Sequence, residues 1–569
     1  MSHNCRRIAL LTMLLCHALV LSAIAQRLSP VSQELSVVSA GLYHTTGRFD
    51  HFRVNPPFLR SIIVIPLLIS RPNVDWSSVT DHLWTRNEIK VGQDYVRANP
   101  ATWRKSFLHA RFVCIGFSCF GAIAVYLLSR ELFGPLAGLT SCGLWCFSPV
   151  ILSYGALSTG DVQFTAINVF AMYLLCRWLK LQSWSNALGL GLGLGLAISS
   201  KHTGLLVVGA AAIAVSAITW NRFTQDSRQQ PSRWRWIATP SAQYVVATVL
   251  SVWFLACTYH FNSIGNRLDS FQFVSRSLAG PMPTGAMSSN RFKGSIVGRL
   301  PMPFPADYIL GLDIQKRDLE LRRRCYLLGK WHDQAPWWFY FVGLACKESL
   351  GSLLLLLMTV PILFVNRASL HWTQYFYCVV VPGLLLAGVL ARETQLWEHL
   401  RYAIPLLPCC YITISAGVSL ATVPMKRLMC VLLLASCSSS VYAIANPIAF
   451  ENSFGRFLAG DRPALIGSCL DWGQDLDAVV AASQGLPTGT FKYLNDAGID
   501  PSVVGIAVGE RPHGKSLTVA LLFSCNPDVR YLFVSKNVIY GMDSSEDLAL
   551  TRWTDIGGAT VLISADGFR

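Results

Sequence analysis

Charged residues are scarce in this sequence. Asp, Glu, Lys and Arg make up 14% of the 569 residues, whereas a typical soluble domain contains roughly a quarter. Hydrophobic residues account for 52%, and the mean hydropathy is +0.41. This composition excludes an ordinary soluble globular protein and indicates a protein that is embedded in a membrane.

Two kinds of motif are also missing. The sequence lacks the alternating runs of about ten residues that build transmembrane β-barrels. None of the 17 cysteines forms a Cys-x-x-Cys pair or a Cys/His metal-binding pattern. Most of them lie in apolar segments, where cysteine behaves as a small hydrophobic residue. The sequence therefore predicts helical spans and shows no cysteine-based metal-binding motif.

Acidic residues are fewer than basic ones. There are 32 Asp and Glu against 47 Lys and Arg, so the formal net charge is +15. The basic residues lie in short loops between apolar segments rather than on one face of a soluble domain. This distribution favours membrane topology signals and contacts with anionic lipid over nucleic-acid binding.

Apolar stretches of about 17 to 25 residues recur along the chain, which is the length that an α-helix needs to cross a bilayer. We predict a polytopic α-helical membrane protein with about eleven transmembrane helices. The spans are predicted near residues 8–25, 112–128, 136–152, 162–179, 187–199, 203–220, 244–259, 337–365, 376–390, 402–421 and 428–444. Residues 58–69 are predicted to lie in the membrane interface, because this segment is short and contains Arg60 and Pro66.

The pattern divides the chain into four regions. Residues 1–27 are a first transmembrane helix or signal anchor, although Ala23-Ile24-Ala25 also fits a cleavage site. Residues 28–110 form an outer-face loop with juxtamembrane helices. Residues 111–446 form a multi-span core that includes an outer-face loop at 262–336. Residues 447–569 are predicted to form a small extracytoplasmic α/β domain.

Within the last region, short β-prone runs predict strands at 503–508, 516–523, 531–534 and 560–563, and a helix is predicted at 475–483. A disulfide between Cys469 and Cys525 is one alternative that the sequence leaves open. In the core, the Leu-Gly alternation at 188–196 gives two GxxxG spacings, which predict close helix packing.

Basic residues define the predicted topology. The loops that contain Arg6-Arg7, Arg130, Arg177 and Lys426-Arg427 are predicted to be cytoplasmic, together with the segment that contains Arg228 and the one that contains Arg367. The opening loop, Asp161, the 262–336 loop and the C-terminal region are then placed on the outer face.

Three polar clusters on this face are candidates for chemistry, because an ionisable side chain beside a membrane needs a partner or a function. They are Glu34, Asp50, His51, Arg53 and Asn55; Ser158, Thr159, Gly160 and Asp161; and Lys201, His202, Lys347, Arg401 and Tyr402. A carboxylate can take the proton of an acceptor hydroxyl while fixed cations stabilise a departing phosphate. Ordinary interfacial charges are the alternative.

Several ordered motifs carry a resemblance to a known family. They are GLYHTTGRFDHFRVNPPFLR from residue 41, FSPVILSYGALSTGD ending at Asp161, LGLAISSKHTGLL around Lys201, YLLGKWHDQAPWWFYFVGLACKESLGSLLLLL around Lys347, RYAIPLLP from Arg401, and LDWGQDL at 470–476. The chain resembles the bacterial branch of the protein O-mannosyltransferase and aminoarabinose transferase group. These are GT-C glycosyltransferases of family 39 or 83, also described as PMT-like or RgtA-D-like.

The resemblance implies a polyprenyl-phosphate-linked sugar as donor, an outer-face active site and inversion at the sugar carbon. It implies that Asp161 is the acidic residue of the second outer loop. Arg53 and Asn55 match polar positions before the Pro-Pro corner, and Arg401 matches an Arg-Tyr motif near the donor phosphate. It also implies an Asp-Glu pair followed by His, where this chain has Gln33-Glu34 and Val37.

An amide cannot accept a proton in the way a carboxylate does. We therefore predict that Glu34 or Asp50 takes the role of base, or that the activity has changed. The expected catalytic residues are Glu34, Asp50 and Asp161. The expected donor-binding residues are Arg53, Asn55, Lys201, Lys347, Arg401 and Tyr402.

The predicted function is transfer of a sugar from the lipid carrier to a protein, lipid or glycan at the outer face of the plasma membrane. The expected partners are the lipid bilayer, the lipid-linked donor and an acceptor that the sequence does not identify. A divalent cation stays open as a cofactor. An inactive relative that binds the lipid-linked sugar is one alternative, and a transporter or flippase is another.

Overall fold

Helices make up most of the protein. The computed structural model describes residues 2–80, 86–224, 233–281, 286–366, 372–511, 516–517, 519–541, 543–544 and 553–565. The predicted topology residues Arg228 and Arg367 lie outside these residues. Up to residue 154 the helices are α1 (His3–Arg27), α2 (Ser32–His44), α3 (Phe58–Ile63), α4 (Ile65–Ile69), α5 (Glu88–Ala98), α6 (Trp103–Phe133), α7 (Pro135–Cys146) and α8 (Pro149–Tyr154).

The second half of the helical core continues in the same way. Its helices are α9 (Asp161–Lys180), α10 (Trp184–Ser200), α11 (Leu205–Thr224), α12 (Arg233–Thr258), α13 (Arg276–Ala279), α14 (Ala306–Glu320), α15 (Phe339–Lys347), α16 (Leu350–Val365), α17 (Trp372–Tyr375), α18 (Val381–Arg392), α19 (Leu407–Leu420) and α20 (Val423–Ala445). A π-helical turn, Phe376–Val380, joins α17 to α18, and a 3-10 turn, Leu400–Leu406, leads into α19.

Eight helical segments in the described residues are long and apolar enough to cross a membrane. They are His3–Arg27, Trp103–Phe133, Asp161–Lys180, His202–Thr224, Ala238–Thr258, Trp372–Arg392, Leu400–Leu420 and Val423–Ala445. The other three predicted spans fall on shorter helices: α7 has 12 residues, α10 has 17 and α16 has 16. The predicted class, a polytopic helical membrane protein with a small C-terminal α/β region, is confirmed.

The apolar segment at 58–69 forms two short helices. Helix α3 has 6 residues and α4 has 5, and both are too short to span a bilayer. Helix α2 crosses α3 closely at Gly41, where an added Cβ would lie 2.6 Å from the Arg60 carbonyl oxygen. The two helices of the opening loop are therefore packed tightly against each other.

The glycine repeat in α10 packs as predicted. Gly191 faces α12, and a Cβ there would lie 2.8 Å from the carbonyl oxygen of Ala247. Gly193 faces α9, where a Cβ would lie 2.7 Å from a methyl carbon of Leu174. The repeat therefore lets α10 approach two neighbours at once, because glycine removes the side chain that would hold the backbones apart.

The described strands lie in the 262–336 loop and the C-terminal region. They are β1 (Cys325–Leu327), β2 (Lys330–His332), β3 (Phe491–Leu494), β4 (Ser516–Leu517), β5 (Tyr531–Ser535), β6 (Asp543–Ser544), β7 (Thr554–Ile556) and β8 (Thr560–Ser564). The main sheet has the order β3-β5-β8-β7, with β3 parallel to β5 and the other neighbours antiparallel. Helices α21 (Ser453–Ala459), α22 (Leu476–Ser483), α23 (Val519–Cys525) and α24 (Lys536–Gly541) complete this region.

Some local predictions here were wrong. Residues 503–508 were predicted as a strand, but Pro501–Val504 form a 3-10 turn, because Asp500 caps Ser502 N–H at 3.0 Å. In the predicted strand at 516–523, β4 is extended and α23 begins at Val519, whereas residue 518 lies outside the described residues. Strand β3 was not predicted. Cys469 and Cys525 are both free thiols, so the proposed disulfide is absent.

Candidate functional site

Asp161, Lys201 and Arg401 form a buried charged cluster. Lys201 Nζ lies 2.5 Å from Asp161 Oδ1, and Arg401 Nε lies 3.2 Å from Asp161 Oδ2. The three side chains are only 2%, 10% and 4% exposed, respectively. One carboxylate thus faces two cations, which leaves a net positive charge where anionic groups are strongly attracted.

The local structure explains how the cluster forms. Asp161 is the first residue of α9 and follows Gly160, whose φ of 85° ends the preceding turn. A carboxylate at a helix N-terminus is stabilised by the unpaired N–H groups there. Lys201 follows the last residue of α10, and Arg401 lies in the 3-10 turn before α19. Three helix ends therefore converge on one point.

Tyr402 forms the aromatic wall of the cluster. The ammonium of Lys201 lies 4.8 Å from the centroid of its ring, and Arg401 Cζ lies 5.4 Å from it. Cation–π contacts of this kind hold both basic side chains in place. The structure thus brings together Asp161, Lys201, Arg401 and Tyr402, which the sequence assigned to two separate clusters.

Gln33 also reaches this cluster. Arg401 Nη2 donates to Gln33 Oε1 at 3.3 Å. The amide therefore occupies the place beside Arg401 where the family resemblance leads us to expect a carboxylate, and its carbonyl oxygen acts as an acceptor.

The C-terminal region supplies the last side of the cluster. Arg401 Nη1 donates to Ser468 Oγ at 3.1 Å, and Arg401 Cζ lies 4.3 Å from the centroid of the Trp472 ring. Backbone bonds fix this segment to the opening loop, since Ser32 N–H donates to Trp472 O at 3.2 Å and Ser29 N–H donates to Gln474 O at 3.0 Å. The C-terminal region thus helps to position Arg401.

We expect Trp472→Ala to lower the sugar transfer predicted from the sequence about tenfold, because a desolvated cation–π contact is worth up to about 2 kcal/mol. Trp472→Phe should recover most of the loss, since it restores an aromatic face. The measurement is the initial rate of transfer in membranes with equal amounts of each variant. Equal rates for wild type and Trp472→Ala would show that Arg401 does not need this contact.

Glu34 lies apart from these contacts, and protein groups donate hydrogen bonds to both of its carboxylate oxygens. It is 0% exposed, and it pairs with Arg111 through bonds of 2.6 and 2.9 Å. The Val31 N–H and both the N–H and the hydroxyl of Ser158 donate to its oxygens at 2.8 to 3.0 Å. Burial alone would raise the pKa of Glu34, but Arg111 and these donors hold it below its ordinary value.

Asp50, Arg53 and Asn55 lie elsewhere in the opening loop. Asp50 accepts from the Tyr43 hydroxyl at 3.1 Å and pairs with Arg48 at 2.8 Å. Arg53 Nε pairs with Asp307 of α14 at 2.6 Å. The Asn55 carbonyl accepts a bond from Arg60, and Asn55 lines a small cavity together with Lys201. Of the three residues, Asn55 shares this cavity with the charged cluster.

His51 and Lys347 are both buried. Burial, with the nearby charge of Arg60, lowers the pKa of His51 to about 4. Lys347 Nζ donates to the carbonyl oxygens of Ile448 at 3.1 Å and Cys469 at 2.7 Å. Lys347 therefore fastens the segment that carries Ser468 and does not contact Asp161.

Several residues of the site are not predicted by the sequence reasoning. Arg111 is the partner of Glu34, and an arginine within an apolar helix is itself a signal for a buried ion pair. Arg60 is 4% exposed and donates to the Phe52 carbonyl at 2.7 Å. Glu348 is buried and accepts from the hydroxyls of Ser148 and Tyr411 at 2.7 and 2.8 Å.

A cavity adjoins the cluster. Its volume is about 60 Å³, and Lys201, Gln315, Tyr340 and Tyr402 contribute polar side chains to its wall. A second cavity of about 10 Å³ shares the wall residues Thr203, Leu386 and Pro405 with the first and continues between the helices. Among the described residues, no group of three or more His, Cys, Asp and Glu side chains is arranged to hold a metal ion.

Asp471 and Asp475 give the C-terminal region a pH dependence. Burial, and for Asp471 the charge of Asp475, raises their pKa values to about 7 and about 6. The folded state therefore binds more protons than the unfolded state between about pH 4 and 7, so stability falls as pH rises through this window.

We expect the thermal unfolding midpoint of Asp471→Asn to depend less on pH between 5 and 8 than the midpoint of wild type does, because the substitution removes a titrating carboxyl group. A profile that matches wild type would contradict this assignment.

Together, the eight apolar helices and the charged cluster at one end of them define a multi-pass membrane protein with a polar site beside the helical core. Residues 103–260 match the family model described as dolichyl-phosphate-mannose-protein mannosyltransferase. This match covers less than a third of the chain and confirms the predicted resemblance to GT-C mannosyltransferase-like proteins. The matched region contains Asp161 and Lys201. No curated relative matches the sequence.

Three solved structures are similar to the chain at low TM-scores. One is the S. cerevisiae protein O-mannosyltransferase Pmt1-Pmt2 complex bound to the sugar donor, at 16% identity and TM-score 0.34, covering 49% of this chain and 37% of that one. Another is oligosaccharyltransferase AglB from Archaeoglobus fulgidus with an inhibitory peptide and a dolichol-phosphate, at 10% identity and TM-score 0.44, covering 98% and 74%. The third is ArnT from Cupriavidus metallidurans bound to undecaprenyl phosphate, at 10% identity and TM-score 0.29, covering 97% of each chain.

Proposed function

We propose that the protein transfers a sugar from a polyprenyl-phosphate carrier to a hydroxyl-bearing acceptor. The observation that carries this proposal is the buried cluster of Asp161, Lys201 and Arg401, which adjoins a cavity between the helices. The family match supports the reaction type, because it covers two of these residues.

Lys201 and Arg401 hold the donor phosphate in this proposal. The bond between the sugar carbon and the phosphate oxygen breaks, and the two cations stabilise the negative charge left on the phosphate. Asp161 accepts the proton of the acceptor hydroxyl as the new glycosidic bond forms. A single displacement of this kind inverts the configuration at the sugar carbon.

The contacts favour Asp161 over Glu34 as the base. Glu34 accepts five hydrogen bonds, two of them from Arg111, so its oxygens are already committed. Asp50 stays a candidate through its position in the opening loop. Arg53, Asn55 and Lys347 are proposed to shape the donor site through the loop and the C-terminal segment rather than as phosphate ligands.

We place the site at the outer face of the plasma membrane. Asp161 begins α9, whereas Arg177 and Lys180 end it. Because basic residues favour the cytoplasmic side, this asymmetry supports an outward-facing Asp161. Labelling of a cysteine introduced beside Asp161 by a membrane-impermeant thiol reagent, on a background without reactive cysteines, tests the orientation.

The direct test is transfer of labelled sugar from a panel of polyprenyl-phosphate sugars in membranes that contain the protein. Wild type should transfer sugar from at least one donor, and Asp161→Asn should not. Asp50→Asn is the matched carboxylate control from the opening loop, and we expect it to retain activity. Loss of transfer in Asp50→Asn alone would move the role of base from Asp161 to Asp50.

Gln33 favours a second candidate, a relative that binds the lipid-linked sugar without transferring it. Its amide lies beside Arg401 where a carboxylate is expected. If wild type transfers no sugar from any donor and Gln33→Asp does transfer sugar, the protein binds the lipid-linked sugar without transferring it. Gln33→Asn, which keeps the amide, is the control and should stay silent.

A further inference from the structure

A large cavity lies in the 262–336 loop, away from the charged cluster. Its volume is about 780 Å³, which is in the range of ligand pockets. Arg276, Arg291 and Arg317 line it together with Glu320, Met287 and Leu321. We refer to it as the arginine cleft.

The arginine side chains give the cleft a positive charge that can attract an anionic ligand. Within the described part of the chain, no carboxylate lies within ion-pair distance of Arg276, Arg291 or Arg317. Glu320 is committed to backbone groups: its oxygens accept from Arg276 N–H at 2.7 Å and from Ser277 N–H at 3.1 Å. Arg291 Nη1 donates to the Ser277 carbonyl at 2.6 Å, which leaves the positive charge of its guanidinium without a carboxylate partner. The cleft thus presents three guanidinium charges to a ligand, and guanidinium binds phosphate and carboxylate well.

The cleft also has an apolar part. Met287 is 68% exposed and Leu321 is 41% exposed, and both line it. Further along the same loop, Ile296 is 84% exposed and Leu300 is 55% exposed. A fully hydrated polyanion would leave these surfaces in water, whereas an amphiphile would cover the apolar lining as well as pair with the arginines.

One helix connects the cleft with the proposed active site. On α14, Gln315 and Leu319 line the cavity beside Lys201, whereas Arg317 and Glu320 line the arginine cleft. A ligand in the cleft therefore lies one helix away from the place where the sugar is transferred.

We propose that the arginine cleft binds an anionic amphiphile, a molecule with a phosphate or carboxylate group next to an apolar portion, and that this molecule, through a hydroxyl group of its own, is the acceptor. The binding part stands on the cleft itself, and the acceptor part rests on the proposed transferase function.

The test measures binding to the full-length protein in detergent, with no sugar donor present. The probes are dihexanoyl phosphatidic acid, dihexanoyl phosphatidylcholine, glycerol 3-phosphate and a hexaglutamate peptide. Phosphatidic acid should bind most tightly. In Arg276→Gln/Arg317→Gln its affinity should fall about 10- to 100-fold, since each charge-assisted hydrogen bond lost costs about tenfold.

Lys293→Gln/Arg299→Gln is the matched control, because it removes the same charge from exposed positions of the same loop outside the cleft. It should bind phosphatidic acid as wild type does. An equal loss in the control would overturn the site. Equal affinity for phosphatidylcholine, glycerol 3-phosphate or hexaglutamate would overturn the assignment to an anionic amphiphile.

The acceptor role has its own readout. In the transfer assay, phosphatidic acid should inhibit wild type competitively. An equal degree of inhibition of the Arg276→Gln/Arg317→Gln variant should need an about tenfold higher concentration of phosphatidic acid. Transfer that continues at saturating phosphatidic acid would overturn the acceptor role. A protein that binds phosphatidic acid through these arginines but transfers no sugar would refute the transferase proposal and leave the binding site standing.

Discussion

Asp161→Asn is expected to lower sugar transfer by roughly 10²- to 10⁴-fold, which is the range for loss of a positioned general base. The substitution also removes the charge that Lys201 and Arg401 share at 2.5 and 3.2 Å. Two buried cations would then face each other without a counter-ion, so we expect the thermal unfolding midpoint to fall as well.

A second variant separates these two effects. Asp161→Asn/Lys201→Met restores the charge balance by removing one cation together with the carboxylate. It should recover much of the lost thermal stability in detergent but none of the transfer. Asp307→Asn serves as a control, since it breaks the ion pair with Arg53 outside the cluster. Transfer by Asp161→Asn at the wild-type rate would rule out Asp161 as the base.

Glu34→Gln is expected to destabilise the fold by about 3–5 kcal/mol, because it leaves the charge of Arg111 buried without a partner. The two side chains are 0% and 3% exposed and lie 2.6 Å apart. Because the pKa of Glu34 is lower in the folded state, Glu34 contributes to folding stability at pH values above its unfolded-state pKa. This contribution is lost as pH falls through the folded-state pKa. The measurement is the unfolding midpoint across acidic pH.

The double variant Glu34→Gln/Arg111→Met shows whether Glu34 also has a catalytic role. Removal of both charges should restore stability relative to Glu34→Gln. If Glu34 is structural, the double variant also regains transfer. A stable double variant that transfers nothing would make Glu34 the base after all. Arg104→Met, which breaks an exposed ion pair with Asp477 near the same helix, is the control and should change little.

The sequence predicts the helices well because each span carries its own signal. Every predicted span falls on helical segments, although 136–152 is divided between α7 and α8 and 337–365 between α15 and α16. The short segment at 58–69 is helical but too short to span. The C-terminal strands were harder to predict. Strands β5 and β8 contain strong β-prone runs and were predicted, whereas residues 519–525 form a helix that local propensity did not indicate.

The candidate residues were harder still to group. Asp161, Lys201 and Arg401 were each singled out from the sequence, but in two different clusters. Glu34 was singled out beside Asp50, yet the structure pairs it with Arg111 of α6, and Asp50 lies with Tyr43 and Arg48. Spacing along a chain does not show which helix ends converge, because convergence depends on how the helices pack.

The sequence by itself determined that this protein is a polytopic helical membrane protein with charged residues at helix ends, since hydrophobicity and length are local properties of a span. It also determined the family resemblance, through motifs that can be read in order. Only the tertiary structure decided that Lys201 and Arg401 meet at Asp161 and that Gln33 and Trp472 join them. The physical reason is that a buried charge is tolerated only where partners from distant segments meet it, and those partners are set by packing.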